Sequence, residues 1–431
     1  MQKVAFYTLG CKVNQYETEA MTEIFKNEGY EITHFEDFSD IYVINTCTVT
    51  SMSDRKSRQI IRRAKKKNPN AIIVVTGCYA QTAPDEVLKI EGVNMVLGTN
   101  ERHRIAELTK NLLNDSKEKE VYNIINSHDF EELSITTYSE RTRAYIKIQE
   151  GCNQFCSYCI IPYARGPIRS RDPKNVIEEI TTLSKNGFTE VILTGIHVAS
   201  YGADLKDMDL GKLLMMVNEI DGIRRIRLSS IEPMTLNAEF IKAISPCKKL
   251  CHHFHLSLQS GSDATLKRMN RKYTTDEYKS IVDGLRAAFP DVAVTTDIMV
   301  GFPGETDEEF NQTVEFVKSI NYADAHIFQY SPRKGTVAAK RPDQISPEIK
   351  ESRSKIIAEI TEKNRGEFLS SFIGKTLEVL FEQPTADGFF EGKTDNYITV
   401  CVPPEDNLSG NYFMVKAEKV KGEKIYGTLI K

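Results

Sequence analysis

The chain predicts an α/β protein in three parts: an open, largely parallel α/β sheet over residues 1–135, a partial barrel of six β/α units over 136–365, and a small β-barrel over 366–431. Three observations predict it. Short continuous apolar runs, the pattern of strands buried on both faces, alternate with helical stretches at the start of the chain. After a charged, strand-poor stretch from about Asn111 to Glu140, a second series of alternating strands and helices runs to Tyr330. Beyond Ser370 the period shortens to alternating runs divided by Gly and Pro, the mark of a small antiparallel barrel.

In the first part the strands are Val4–Leu9, Ile41–Asn45 and Ala71–Thr76, and a cysteine follows each of them: Cys11, Cys47 and Cys78. Ligands of open α/β sheets bind at the carboxyl edge of the strands, so this placement brings three distant thiols to one edge. Three independent buried cysteines are the plain alternative, a common fate of that residue.

The second series has strands at Tyr145–Gln149, Val191–Thr194, Arg225–Ser229, Phe254–Gln259, Val294–Val300 and Ala325–Tyr330. A closed eight-unit barrel takes about 250 residues, more than this series spans, so an open barrel of six units is expected. Chemistry in such folds sits at the carboxyl end of the strands. Thr194, Gly195, Ser230, Glu232, Gln259, Asp297, Phe328 and Tyr330 fall there or close by. A charged helix over Pro347–Ser370 leads to the last part, whose strands include Leu377–Phe381, Tyr397–Val400 and Tyr412–Val415.

The first barrel strand runs into Gly151-Cys152-Asn153-Gln154-Phe155-Cys156-Ser157-Tyr158-Cys159, three thiols in one short loop with no local fourth ligand. Thiolates favour zinc or iron–sulfur clusters, and a structural zinc site is normally closed by four protein ligands. A cube of four irons held by three cysteines leaves one iron open to an outside ligand, as cofactor-level redox or radical chemistry requires. His253 and His255 alternate onto one strand face, and without an aligned third donor they read as barrel lining. Cys247, Cys251 and Cys401 read as packing residues.

Composition restricts the remaining classes. With 431 residues, 40% hydrophobic and 27% charged, the chain has enough length for several cores. Nine cysteines, an odd number with no signal-peptide pattern, argue for a reducing compartment and a cytoplasmic location. No apolar run approaches the roughly twenty residues of a membrane helix. A formal charge of −4 argues against indiscriminate polyanion binding, yet Arg55, Arg58, Arg62 and Lys65 recur at helical spacing with Lys56, Arg63, Lys66 and Lys67 beside them. That helix is a candidate phosphate contact, with a solvated face as the plain alternative.

The cysteine loop resembles the cluster-binding signature of the radical S-adenosylmethionine enzymes, and Gly10-Cys11-Lys12-Val13-Asn14-Gln15-Tyr16-Glu17-Thr18-Glu19 resembles the opening motif of their methylthiotransferase subgroup. The resemblance implies a Rossmann- or flavodoxin-like first domain, a radical S-adenosylmethionine barrel and a C-terminal TRAM domain that delivers RNA. It implies two 4Fe–4S clusters, one on Cys11, Cys47 and Cys78 and one on Cys152, Cys156 and Cys159. It also implies S-adenosylmethionine both as methyl donor and as source of a 5′-deoxyadenosyl radical. Tyr158, Thr194, Gly195, Ser230, Glu232, Gln259, Asp297, Phe328 and Tyr330 are then expected around the S-adenosylmethionine, and Arg58, Arg62, Arg63, Phe389 and Tyr397 against RNA.

Lys12 to Gln15 and the segment Gln149 to Arg169 resemble the branch that acts on N6-threonylcarbamoyladenosine beside the tRNA anticodon, with an external electron donor and sulfur source. Sister branches act on isopentenyladenosine in tRNA or on an aspartate of a ribosomal protein. A different class, a non-catalytic iron–sulfur electron carrier or RNA-binding scaffold, would have no need of a substrate-sized barrel. One feature runs against RNA delivery by the last domain: residues 366–431 carry 7 Lys and no Arg against 7 Glu and 3 Asp.

Overall fold

The structure is a computed structural model that describes residues 1–112, 117–137 and 142–430. The first sheet is formed by β1 (Lys3–Thr8), β2 (Glu31–Thr33), β3 (Ile41–Thr46), β4 (Ile72–Gly77), β5 (Met95–Leu97) and β6 (Glu118–Glu120), all parallel, in the order β2-β1-β3-β4-β5-β6. Its first five strands follow the flavodoxin-like order, whose ligands sit where the winding reverses between β1 and β3. β3 is buried along its whole length because helices cover both faces, which is why its sequence is continuously apolar up to Asn45. Helices α1 (Lys12–Asn27), α2 (Ser51–Lys67) and α3 (Cys78–Thr82) each start within a few residues of a strand end.

The second unit contains β7 (Ala144–Glu150), β8 (Arg169–Ser170), β9 (Glu190–Gly195), β10 (Arg225–Leu228), β11 (His253–His255), β12 (Ala293–Val300) and β13 (Asp324–Gln329). β7, β9 and β10 form one parallel sheet, β11, β12 and β13 another. Parallel bridges Ile226–Leu250 and Ile231–Leu256 join the two between β10 and β11. The result is the expected six-stranded open barrel, with β8 as an added antiparallel edge beside β7. The strand expected over Phe254–Gln259 ends early. Gln259 takes φ +69°, and the amide of Leu258 turns to the Thr296 hydroxyl at 3.0 Å. The helix over Pro347–Ser370 forms at the expected residues and passes unbroken across position 365.

The last unit is a closed five-stranded barrel of β14 (Thr376–Pro384), β15 (Phe390–Lys393), β16 (Thr399–Val402), β17 (Tyr412–Lys421) and β18 (Lys424–Leu429). It docks on the amino-terminal foot of the larger barrel. Arg225 donates to the carbonyls of Lys393 (3.0 Å) and Glu378 (2.9 Å), and Arg227 to those of Asp395 (2.7 Å) and Thr394 (3.1 Å). Among the described residues no helix is long and apolar enough to cross a membrane.

Candidate cluster and cofactor site

Each cysteine of the first triad sits where a strand hands over to a helix. Cys11 is the residue before α1, Cys47 follows β3, and Cys78 opens α3. The approach is close enough to require glycine at the neighbouring positions. A Cβ on Gly10 would lie 2.9 Å from the Cβ of Cys47, and one on Gly77, at φ +92°, would lie 2.4 Å from the Thr46 carbonyl oxygen. Asn14, one turn into α1, donates to the carbonyls of Leu9 (2.7 Å) and Thr46 (3.0 Å) and so ties the edges of β1 and β3 together. The second triad lies past the end of β7, with Gly151 (φ +75°) pressed so closely on Pro167 that a Cβ there would stand 1.8 Å from its carbonyl oxygen.

Burial pushes the thiols of Cys11, Cys47 and Cys78 upward, and those of Cys152 and Cys159 to about 11 and about 12. Thiols in such surroundings stay protonated until a metal supplies the positive charge that solvent does not. The donor set of three soft sulfurs per centre fits an iron–sulfur cluster with one iron left open. Among the described residues no three His, Cys, Asp or Glu side chains converge on a point that would hold a single ion. A four-iron cube is gripped from its corners, so its ligands stand further apart than those of one metal.

Each triad has one buried guanidinium on one of its sulfurs. Arg271 lies 3.4 Å from Cys156 Sγ and pairs with Glu232 at 2.7 Å. Arg165, from the helix Ile161–Arg165 just past the second triad, donates through Nε to Cys78 Sγ of the first at 3.1 Å. The same side chain meets Glu17 (2.5 Å), Asn14 (2.6 Å) and Glu150 (3.2 Å). Lys147 and Arg102 also pair with Glu17, at 3.0 and 2.6 Å, and Arg102 reaches Glu131 at 2.7 Å. These six charges balance, and all are essentially excluded from solvent. The sequence reading missed the whole network; its one visible signal is Lys147 inside an otherwise apolar strand.

At the carboxyl face of the larger barrel, Ser229 Oγ, Gln259 Oε1 and His197 Nε2 are buried with no hydrogen-bond partner among the described residues. Three orphaned polar atoms at one face fit the polar parts of an S-adenosylmethionine. Of the other expected contacts, Thr194 is buried, Gly195 abuts Gln149, and Ser230 is exposed. Glu232 is committed to Arg271 and does not cap the short helix after it. Asp297 faces His255 at 3.1 Å. Tyr158, Phe328 and Tyr330 form an apolar cluster with Met269, Met299 and Phe302, so Tyr330, packed edge-on to Phe302, is a core residue.

The expected RNA contacts divide. Arg58 is spent on the Tyr79 hydroxyl (2.9 Å) and Glu86 (3.4 Å), and Arg63 on Glu36; Arg62 is exposed and makes no hydrogen bond or ion pair among the described residues. Phe389 packs edge-on against Tyr426. Tyr397 corrects the expectation most. It is stacked on His253 at 4.8 Å in the seam between the two barrels, with the cations of Arg143, Arg227 and Lys393 over its ring at 5.4, 4.7 and 4.6 Å. Lys12 lies within electrostatic reach of the same group; burial draws its ammonium downward, Tyr397 opposes that, and Arg227 and Arg143 add to it.

Comparison with known proteins agrees with this geometry. Residues 146–317 match the model of the radical SAM superfamily, and residues 3–98 that of uncharacterized protein family UPF0004. The chain is 44% identical over 425 residues to the threonylcarbamoyladenosine tRNA methylthiotransferase MtaB of Bacillus subtilis, covering 97% of this chain and 94% of the relative. It is 36% identical to the tRNA-2-methylthio-N(6)-dimethylallyladenosine synthase of Methylacidiphilum infernorum, over 99% of this chain and 95% of that one. A radical S-adenosylmethionine methyltransferase, TsrM, from Kitasatospora setae, solved with cobalamin and a [4Fe-4S] cluster bound, shares the fold with a TM-score of 0.58 at 15% identity over 95% of this chain and 84% of its own. By sequence along nearly its whole length, the chain belongs to the radical S-adenosylmethionine methylthiotransferases, enzymes that transfer a methylthio group.

Proposed function

We propose that the chain is a tRNA methylthiotransferase that converts N6-threonylcarbamoyladenosine beside the anticodon to its 2-methylthio derivative, in the cytoplasm, with two S-adenosylmethionine molecules per turnover. Cys11, Cys47 and Cys78 would hold one 4Fe–4S cluster and Cys152, Cys156 and Cys159 the other, within domains at 1–135, 136–365 and a TRAM domain at 366–431. The observation that carries this reading is the bond from Arg165 to Cys78, which makes the loop after one triad part of the wall of the other. Similarity to two proteins named for this substrate, at 44% and 41% identity, supports the choice of nucleoside.

When bound, the cluster supplies the electron that cleaves S-adenosylmethionine and so gives access to an unactivated C–H bond. The protein's own residues do the positioning. The glycines at 10, 77 and 151 let the backbone close around the sulfurs, and Arg271 links Cys156 to Glu232. Ser229, His197 and Gln259 offer the cofactor polar atoms that make no hydrogen bond among the described residues, His197 Nε2 facing Glu232 at 3.9 Å. The test is anaerobic reconstitution with tRNA bearing N6-threonylcarbamoyladenosine, a reductant and a sulfide source, followed by nucleoside mass analysis. A methylthio gain on that nucleoside supports the proposal. A gain on isopentenyladenosine, or only on a ribosomal protein, assigns the chain to a sister branch, and no gain on any of them leaves the scaffold class.

A further inference from the structure

The foot of the larger barrel holds more positive charge than its own carboxylates balance. Lys12, Arg143, Arg227 and Lys393 gather around Tyr397, and among the described residues the carboxylates that touch any of them are Glu190, 2.9 Å from Arg227 and 3.9 Å from Arg143, and Glu382, 2.6 Å from Arg143. Glu391, the next nearest to Lys393, is taken by Lys424 at 2.7 Å. Lys12 makes no hydrogen bond or ion pair among the described residues, and Lys393 has only the Thr399 hydroxyl, at 2.6 Å. Among the described residues His253, 7% exposed, leaves Nδ1 without a hydrogen bond, and the Arg143 nitrogen that faces Glu190 at 3.9 Å makes none either. Buried or half-buried cations without counter-charge are costly, and a bound anion would relieve that cost.

The position of this floor says which anion. Lys12 is the chain neighbour of Cys11, so the floor adjoins the first triad. From it a polar ladder climbs the inner wall: His253 and His255 share the Thr295 hydroxyl at 3.1 and 3.0 Å, and His255 reaches Asp297 at 3.1 Å, whose carbonyl accepts from the amide of Gln259 at the cofactor face. A base placed between the triads and the cofactor face would direct a substituent down this wall. Tyr397 closes the foot from below, which suits a group carried on a base and excludes a backbone phosphate.

We propose that Lys12 and Lys393, with Arg143 and Arg227 behind them, bind the carboxylate of an anionic substituent on N6 of the substrate adenosine and so select it over an apolar one. This rests on the proposed tRNA substrate and names the group that sets its specificity. A branched hydrocarbon in the same place would leave Lys12 and Lys393 without a carboxylate partner, and discrimination arises as much from that penalty as from the ion pairs that the carboxylate forms.

The test measures affinity on the reconstituted holoenzyme, with N6-threonylcarbamoyladenosine and its methyl ester as paired ligands. Wild type should bind the acid roughly tenfold tighter than the ester, and Lys12→Gln combined with Lys393→Gln should erase the difference, as a direct charge contact predicts. Lys12→Arg should restore most of it. Iron content and S-adenosylmethionine affinity should be unchanged in all variants, which separates the floor from the cluster at Cys11. Equal binding of acid and ester by wild type, or a preference that survives the double substitution, overturns the proposal. If wild type modifies tRNA bearing N6-threonylcarbamoyladenosine and yet does not distinguish acid from ester, only the floor assignment fails. If it modifies isopentenyladenosine instead, the substrate reading fails with it.

Discussion

Arg165 Nε stands 3.1 Å from Cys78 Sγ, although the two residues lie on short helices beside different sheets and 87 positions apart. Hydrogen bonds to cluster sulfurs, with net charge and exposure, set the potential of an iron–sulfur centre, because they stabilise the more negative reduced form. Arg165→Lys keeps the charge and loses the planar fork that reaches Cys78, Glu17 and Asn14 together. On the two-cluster reading, an electron-paramagnetic-resonance redox titration of this variant should show one centre with a more negative midpoint potential and the other unmoved. Arg165→Met also removes a charge from among Glu17 and Glu150 and should lower the free energy of unfolding by about 3 kcal/mol, read from urea transitions. An unshifted potential in the lysine variant would remove Arg165 from the environment of the first centre.

Gln259 combines a left-handed backbone, φ +69°, with a buried side-chain oxygen that has no hydrogen-bond partner among the described residues. Strain of this kind persists where surrounding structure enforces it and clusters at binding sites. Gln259→Ala should weaken S-adenosylmethionine binding by about 1 kcal/mol, roughly fivefold, the worth of one hydrogen bond. Gln259→Gly removes the strain as well and should raise the unfolding midpoint while binding the cofactor as weakly as the alanine variant. Calorimetric titration of the reconstituted protein reads the first effect and thermal unfolding the second. Unchanged affinity in both variants places Gln259 outside the cofactor site.

On α2 the sequence shows a run of like charges, and the structure shows which of them are free. Arg63 and Lys67 share Glu36, and Arg58 is held by Tyr79 and Glu86. Arg55, Lys56, Arg62 and Lys66 are exposed and make no ion pair among the described residues. Replacing Arg62 and Lys66 by Gln should lower tRNA affinity and reduce the slope of log affinity against log salt by about 1 to 2, the signature of lost phosphate contacts. Replacing Arg63 should do less. Filter binding across a salt series distinguishes them, and equal slopes for all three proteins would make α2 a solvated face.

Much of the fold was legible because its strands are buried on both faces and therefore read as uninterrupted apolar runs; β3, β4 and β12 fall within a residue or so of where the sequence puts them. The cysteines were legible because a thiol directly after such a strand has one place to go in a parallel sheet. The charged network was not. Glu17 and Arg102 lie on surfaces that look amphipathic, and only docking of the first sheet against β7 buries them. Tyr397 was misjudged for the same reason: an aromatic near the end of a small barrel reads as a contact surface until the seam with His253 is known. Contacts between units depend on shape and docking, which no local period encodes.

His253 makes a pH prediction with a definite sign. Burial holds its imidazole well below the usual value of 6.5, and Arg227, His255, Lys12 and Lys393 act in the same direction, while Tyr397 covers its ring. The folded protein thus keeps His253 neutral at pH values where the unfolded chain protonates it. Because the unfolded state then binds the extra proton, this contribution to stability is fully present above pH 6.5 and is lost as the pH falls below it, with a slope of up to about 1.4 kcal/mol per pH unit. The carboxylates of Glu17 and Glu131, held below their usual range by Arg102 and its neighbours, add a loss of the same sign only below about pH 4.5. His103, whose imidazole is drawn upward by Glu131, and the Glu179 and Glu305 carboxyls, raised by burial, also titrate toward this interval, and the comparison with a His253 variant cancels their contributions. Urea unfolding between pH 7 and pH 5 should show wild type losing stability more steeply than His253→Asn, whose side chain does not titrate. Parallel curves for the two proteins would mean that the imidazole protonates freely in the folded state, and that the seam between the barrels admits water and a further positive charge.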